Sequence, residues 1–265
     1  MPTDTEREAR YLYCIIRCSE ERTFGGLHAI GDHGSPVRTV VLGDLACVVS
    51  DSPDTRYDST RANMMAHETV IEGVMLRDGF TVLPIRFGTV TKKGASSPEE
   101  AIRGLLRKRF QEFQELYEEL AGTVELGLKA LWKDERAIFS EIVSTSGDIR
   151  RLRNALKGRS PEATHFDRMH LGEMVKVALD AHRDRDAKRI LSPLRPLARR
   201  VRENKTALDR MVLNAAFLVD KAREEAFDQA VKRLDEELGD RMVFKYTGPN
   251  PPFNFCEIAV TWEEE

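Results

Sequence analysis

The amino-acid sequence predicts an α+β protein of two domains. The first domain is ferredoxin-like, with the order βαββαβ, and the second is an elaborated ferredoxin-like domain with long inserted helices. Two observations predict this class. The chain has 265 residues, more than one domain usually contains, and segments with strand and helix periodicity alternate in both halves. We place the N-terminal domain at residues 1–97, a connecting helix at 98–121, and the C-terminal domain with its tail at 122–265.

The first strand is predicted at residues 11–17, which read YLYCIIR. Side chains alternate between the two faces of a strand. Both faces are apolar here, with Tyr11, Tyr13 and Ile15 on one and Leu12, Cys14 and Ile16 on the other. A strand of this kind is typical of the centre of a sheet. We expect the helix at 60–78 to cover one face, and the second domain or a partner to cover the other.

A hairpin and a helix follow. Residues 39–42 and 45–49 are rich in β-branched and aliphatic residues and flank Gly43-Asp44, a pair typical of a hairpin turn. Residues 60–78 have an apolar stripe at helical spacing that ends before a glycine, formed by Met64, Ile71, Val74 and Met75. This segment is therefore predicted as a helix that lies on the sheet.

A last strand and a short helix complete the βαββαβ order of the first domain. Residues 80–87 are predicted as a strand, and Pro84 within it has no N–H to donate, which favours a position at the sheet edge. The short helix is predicted at 24–30. Residues 98–120 then form an amphipathic helix with Pro98 in its first turn, which we interpret as the connector between domains.

The second half repeats the architecture with longer helices. Strands are predicted at 124–132, 211–219 and 241–246, and an amphipathic helix at 221–238. A long helical region is predicted from about 134 to 205, interrupted near 158–161 and 192–196 by glycine and proline.

Composition limits the classes of partner and the compartment. The formal net charge is -3, which supplies no general attraction to nucleic acid or anionic lipid. The first ten residues are polar and charged, unlike a signal peptide, so we expect a cytoplasmic protein without a membrane partner. The four cysteines form neither a disulfide framework nor paired zinc knuckles, and we expect them to be reduced.

No catalytic, cofactor-binding or metal-binding residue is predicted. His67-Glu68 begins like a zinc protease motif, but the second histidine one turn later is replaced by Ile71. His67 shares the apolar stripe of its helix, which favours a histidine at the core edge with satisfied hydrogen bonds. The sequence contains neither a dinucleotide-binding glycine pattern nor a phosphate-binding loop with its lysine.

Two basic stretches and two sheet aromatics leave an RNA-binding alternative open. The first stretch spans residues 150–159 and the second 188–202, and we interpret both as solvated helix faces. Tyr11 and Tyr13 on a ferredoxin-like sheet would suit base stacking. An RNA-binding regulator is therefore the alternative function, and an enzyme of unknown chemistry is a third.

Two segments decide the leading interpretation. Residues 82–90 read VLPIRFGTV and residues 246–255 read YTGPNPPFNF, about 160 residues apart. In this order, and with the opening YLYCII strand, they resemble the gas vesicle protein F/L family over essentially the whole chain. The resemblance implies ferredoxin-like elements in both halves and a minor component that acts early in gas vesicle formation. It does not separate F from L members.

The resemblance also implies partners and a contact surface. Family members are thought to bind the small hydrophobic shell protein and limit its aggregation, and other gas vesicle accessory proteins are further candidate partners. The partner-binding residues are predicted within the two motifs: Arg86, Phe87, Gly88, Thr89, Gly248, Pro249, Pro251, Pro252, Phe253, Asn254 and Phe255. A structural role is the alternative for each motif. Arg86 would then form a local ion pair with a carboxylate of the neighbouring helix, and Phe253 and Phe255 would anchor the tail against the second sheet.

Overall fold

The computed structural model describes residues 9–31, 34–92 and 97–262. The chain divides into two compact units. One unit comprises Met1–Glu125 together with Pro249–Glu265, and the other comprises Leu126–Gly248. This division differs from the predicted boundaries, because both the predicted connecting helix and the predicted C-terminal tail belong to the first unit. The physical reason is that the connecting segment packs on the first sheet and the tail pairs with its edge.

The first unit contains a four-stranded sheet with the order β2-β3-β1-β4. Its elements are β1 (Ala9–Arg17), β2 (Arg38–Leu42), β3 (Leu45–Ser52), α1 (Arg61–Leu76), β4 (Val82–Pro84), α2 (Pro98–Lys108) and α3 (Phe110–Leu120). β1 is antiparallel to both β3 and β4, which is the ferredoxin-like arrangement. The predicted helix at 24–30 is wrong, since these residues form irregular chain with turns.

The turn between β2 and β3 and the end of α1 lie where the sequence predicts them. β2 and β3 form a hairpin in which Leu42 faces Leu45, and Gly43 adopts a φ of 63° at the turn. Thr60 caps α1 by accepting a hydrogen bond from the backbone of Asn63, and α1 is followed by Gly79 with a φ of 77°. Met64 is an exception, because its side chain is exposed rather than part of the buried stripe.

β1 is buried on both faces, as predicted, but its alternation is broken by an irregularity. The register with β3 shifts between Leu12 and Cys14, so Tyr13 lies at a bulge. Cys14 therefore packs in the same apolar cluster as Tyr11 and Tyr13, although simple alternation placed it on the opposite face. α1 covers the face with the tyrosines, and α2 and α3 contact the strands of the same sheet. The second face is therefore covered by the predicted connector and not by the second domain or a partner. This connector consists of two helices that meet at Arg109.

Both edges of the first sheet are covered by other segments of the chain. Along β2, Phe24 donates its backbone N–H to Val37 O (2.8 Å) and Thr39 donates to Arg22 O (2.9 Å). Along β4, Ile258 donates to Pro84 O (2.9 Å) and accepts from the N–H of Arg86 (2.9 Å). Pro84 does lie on the outermost strand, yet the edge of that strand is occupied by the C-terminal segment.

The second unit contains most of a four-stranded sheet with the order β6-β7-β5-β8. Its elements are β5 (Thr123–Trp132), α4 (Glu135–Thr145), α5 (Gly147–Ala155), α6 (His165–Leu194), β6 (Ala198–Glu203), β7 (Met211–Asp220), α7 (Glu224–Leu238) and β8 (Met242–Asn250). β6 corrects the prediction of helix through residue 205, and it supplies the strand that the ferredoxin-like order requires. Three helices, α4 to α6, replace the first helix of that order. The predicted two-domain α+β class with ferredoxin-like halves is confirmed.

Candidate functional site: the two motif segments

The first motif is held against β1 and α1 by a chain of hydrogen bonds through Tyr11 and His67. The backbone N–H of Gly88 donates to the Tyr11 hydroxyl (2.9 Å), and that hydroxyl lies 3.0 Å from His67 Nδ1. His67 Nε2 lies 3.1 Å from the carbonyl oxygen of Ile85. A carbonyl oxygen only accepts, so Nε2 carries the proton and Nδ1 accepts from the tyrosine. Strand, helix and motif are thereby joined in one network.

Burial keeps His67 neutral. The ring is buried and stacks with Tyr13, while Tyr11 and Phe87 approach it edge-on. Burial lowers the pKa of His67 from 6.5 to about 4, although its bond with Ile85 O works in the opposite direction. His67 is therefore a packing histidine with both ring nitrogens satisfied, as the sequence indicated.

The predicted contact residues of the first motif have mostly internal partners. Phe87 is half-buried against the apolar cluster of β1 and α1. Gly88 has a φ of 79°, a left-handed conformation that favours glycine. Thr89 is buried, its hydroxyl donates to Arg86 O (2.6 Å), and its carbonyl accepts from Leu12 (3.0 Å). The turn is thus fixed by the fold.

Arg86 is the exposed member of the first motif. Its guanidinium donates to Glu257 Oε2 at 2.9 Å, and more than half of each side chain is accessible to solvent. The acceptor lies in the C-terminal segment, which corrects the expectation of a carboxylate on the neighbouring helix. An exposed pair of this kind contributes little to stability, so the guanidinium remains accessible to a partner.

The second motif begins at the end of β8 and continues into the first unit. Gly248 is exposed and Pro249 is half-buried, whereas Pro251 and Pro252 are buried. Phe253 is half-buried and packs against the apolar cluster that also holds Phe87. The structure therefore brings both motifs to one core. For Phe253, the expected anchoring against the second sheet is corrected, because its ring packs in the core of the first unit.

Asn254 makes the most specific contact of the second motif. Its backbone N–H donates to Glu125 Oε2 (2.7 Å) and its side-chain amide donates to Glu125 Oε1 (2.6 Å). Glu125 is only 4% exposed, so both oxygens of a buried carboxylate receive donors from one residue. Phe255 is half-buried. Sequence reasoning missed Glu125, Tyr11 and His67 as partners of the motifs, because residues so distant in the chain give no local signal.

Other chemistry is sparse in the described part of the chain. Within residues 9–31, 34–92 and 97–262, no group of three or more His, Cys, Asp and Glu side chains could hold a metal ion. Burial raises the pKa of the Cys14 and Cys47 thiols and raises that of Cys256 to about 12. None of the described helices is long and apolar enough to cross a bilayer.

The two sheet tyrosines that suggested an RNA-binding role are not available for base stacking. Tyr11 and Tyr13 are fully buried, and Tyr57 and His67 pack against Tyr11. Bases stack on exposed aromatic faces, so this sheet offers no platform for them. The basic residues at 150–159 are exposed on α5 and the following loop, and Arg151 there pairs with Asp148. The sheet thus supplies no base-stacking surface for the RNA alternative.

Both motifs lie within a stretch of the chain that matches a known protein family. A family model described as gas vesicle synthesis protein GvpL/GvpF matches residues 9–257, which include both motifs and the elements that hold them. The chain belongs to the GvpL/GvpF family. This membership confirms the resemblance seen in the sequence and assigns the chain a role in gas vesicle assembly. It also implies association with gas vesicle proteins, in a family of structural and accessory proteins rather than known enzymes.

Relatives and solved structures extend the GvpL/GvpF match over nearly the whole chain. Gas vesicle protein F of Streptomyces sp. is 31% identical over 93% of this chain and 99% of its own length. Gas vesicle protein L of Streptomyces sp. is 29% identical over 94% and 93%. The crystal structure of GvpF from Anabaena sp. has a TM-score of 0.81 at 26% identity, covering 95% of this chain and 99% of that one. GvpF from Microcystis aeruginosa has a TM-score of 0.75 at 26% identity, covering 93% and 98%.

Proposed function

We propose that this GvpL/GvpF family protein binds the small hydrophobic gas vesicle shell protein and limits its aggregation before assembly. The family match over residues 9–257 carries the proposal. A shell protein that borders a gas space must expose apolar surface before it assembles, and such surface aggregates unless a partner covers it. A protein that prevents this needs a docking surface and no nucleophile.

Exposed apolar side chains of the second unit support a role in contacting such a partner. Phe166, Met169 and Val177 of α6 are 83%, 53% and 70% exposed, and their spacing places them on one side of the helix. Large apolar side chains that share an exposed face are typical of interaction sites. The described surface therefore offers apolar contacts outside the two motifs.

The motif residues themselves offer a narrower contact surface than their number suggests. Arg86 and Gly248 are exposed, while Phe87, Phe253 and Phe255 are half-buried. A partner that touches the motifs would therefore contact these residues. The buried residues Thr89, Pro251 and Pro252 would hold the backbone of the motifs in place. We propose the exposed residues as contacts and the buried ones as their support.

Co-expression with the shell protein tests the proposed function. We expect the shell protein to remain in the supernatant after centrifugation and to co-purify with the tagged chain. An unrelated tagged protein of similar size and charge, expressed to the same level, is the control. Equal pelleting of the shell protein in both cultures, together with no co-purification, would contradict the proposal.

A further inference from the structure

The four outer edges of the two sheets differ in what covers them. In the first sheet, residues 22–24 cover β2 and Ile258 covers β4. In the second sheet, the outer strands are β6 and β8. An uncovered strand edge presents N–H and C=O groups that pair readily with another strand. Among the described residues, no such backbone hydrogen bond joins another segment to the outer edge of β8, so strand addition would occur there.

The two outer strands of the second sheet carry very different charge. Four of the six residues of β6 are charged: Arg199, Arg200, Arg202 and Glu203. Charged side chains of this kind protect natural sheet edges against added strands. In β8, residues 242–248 read MVFKYTG and contain one charge, that of Lys245. An uncharged strand therefore suits β8 better than β6, because pairing with β6 would cover charged side chains and remove them from water.

The backbone direction of β8 follows from two contacts with β5. Lys133 donates its backbone N–H to Arg241 O (3.0 Å), and Thr247 Oγ1 lies 2.7 Å from the position that a Cβ on Gly127 would occupy. These pairs are six residues apart on each strand, in opposite directions, so the strands are antiparallel. Residues 241, 243, 245 and 247 thus direct their backbone groups toward β5. Met242, Phe244, Tyr246 and Gly248 direct theirs outward.

The side chains beside this edge suit an apolar neighbour. Val243 is 41% exposed, on the same face as Lys245 and Thr247. On the opposite face, Phe244 and Tyr246 are half-buried, and Tyr246 stacks on Phe227 of α7. An added strand would meet the rings of Phe244 and Tyr246 on one face and Val243, beside Lys245 and Thr247, on the other. After Gly248 the chain continues as Pro-Asn-Pro-Pro, and proline ends a donor edge because it has no N–H.

We propose that the outer edge of β8, from Met242 to Gly248, is a strand-docking site for an uncharged extended segment of the shell protein. This inference rests on the proposed function, which supplies the apolar partner. Strand addition gives affinity through main-chain hydrogen bonds, and alternate side chains give specificity. The seven residues of this edge are enough for a complete added strand, whose usual length is about five to six residues. A shell-protein segment that is paired with β8 would also be unavailable for pairing with another shell protein.

Lysine substitutions beside the edge test the proposal. V243K with T247K places two further charges next to the outer backbone of β8, at side chains that are already exposed. F139K with L208K is the matched control, since it adds the same charge at exposed apolar positions of the same unit. We expect the β8 pair to bind the shell protein about tenfold more weakly or worse, and the control pair to bind like the unmodified protein. Melting temperatures of both pairs verify the fold.

Hydrogen exchange gives a measurement that does not depend on variants. In the complex of the unmodified chain with the shell protein, the outward amides of Phe244 and Tyr246 should exchange more slowly than in the free chain. Binding with unchanged exchange at these amides, or full binding by the β8 pair, would overturn the strand-docking site and leave the proposed function standing. Failure of the unmodified chain to bind at all would overturn the proposed function itself.

Discussion

Asn254 contacts both carboxylate oxygens of Glu125 at once, through its backbone N–H at 2.7 Å and its side-chain amide at 2.6 Å. The two residues are 129 positions apart in the chain. Glu125 is buried, and a buried carboxylate is costly unless its oxygens receive hydrogen bonds. The second motif therefore satisfies the charge of Glu125, which belongs to the first unit, and this contact ties the tail to that unit.

We predict that Asn254→Ala destabilises the protein by about 1.5–3 kcal/mol, because one donor to a charged acceptor is lost. Asn254→Asp should cost more, since it places a second carboxylate beside the first. Adding E125Q to N254D should recover part of the loss by restoring a donor and an acceptor. Chemical denaturation measures all three. Asn214→Ala, which removes an exposed amide bond to Lys205 O, is the control, and equal midpoints for Asn254→Ala and Asn214→Ala would refute the role of Asn254.

A second prediction compares two glycines with opposite expected effects. Gly88→Ala should destabilise by about 1–2 kcal/mol, because an L-residue is strained at a φ of 79°. Gly104→Ala should stabilise α2 by about 0.5–1 kcal/mol, because glycine is unfavourable inside a helix. A Cβ has open space at both positions, so the difference isolates backbone conformation. Thermal unfolding measures the melting temperature of each variant. A shift of the same sign in both would contradict the left-handed conformation of Gly88.

The third prediction concerns pH and His67. Its folded pKa of about 4 lies below the ordinary 6.5, so between these values the unfolded chain binds a proton that the folded chain does not. The contribution of His67 to the free energy of unfolding is fully present above about pH 6.5. It should fall by roughly 1.4 kcal/mol per pH unit as the pH decreases toward 4. His67→Gln can keep both hydrogen bonds without titrating. We therefore expect the two stability curves to diverge below pH 6.5, and parallel curves would show that the histidine is not buried neutral.

The fourth prediction concerns the C-terminal segment on β4. Ile258 is 1% exposed, so Ile258→Ala should cost about 2–5 kcal/mol through lost packing. Loosening this segment also frees the outer backbone of β4, and unpaired edges promote association. We expect a lower melting temperature and increased light scattering. Thr261→Ala, at an exposed position, should change neither, and an Ile258→Ala protein that melts and scatters like the Thr261→Ala control would refute the covering role.

Periodic segments were predictable because their signals are local. The apolar strand at β1, the Gly43 turn and the cap and stop of α1 all lie within a few residues of the structure they specify. The two motifs identified the family for a similar reason, since each is a contiguous string. Within each motif, however, the structural role of the residues depends on partners elsewhere in the chain.

The errors have identifiable physical causes. β6 was predicted as helix because ARRVRE is rich in residues that favour helices and carries no strand alternation. The side assigned to Cys14 was wrong because a bulge at Tyr13 reverses the alternation, and nothing in the sequence marks that bulge. The return of residues 249–262 to the first unit depends on Ile258, Phe253 and Asn254 finding distant partners. Such long-range pairings leave no periodic trace.

The covering of β4 by Ile258 also has a consequence for biosynthesis. The ribosome makes β4 early, but residue 258 emerges only after the whole of residues 126–248 has been synthesised. At about 5–20 residues per second, the 174 residues from Pro84 to Ile258 take roughly 9–35 s. During this time the nascent first unit has an unpaired outer strand, while the second unit can already fold. Translation speed across the second unit thus sets how long the growing chain is open to pairing with the wrong strand.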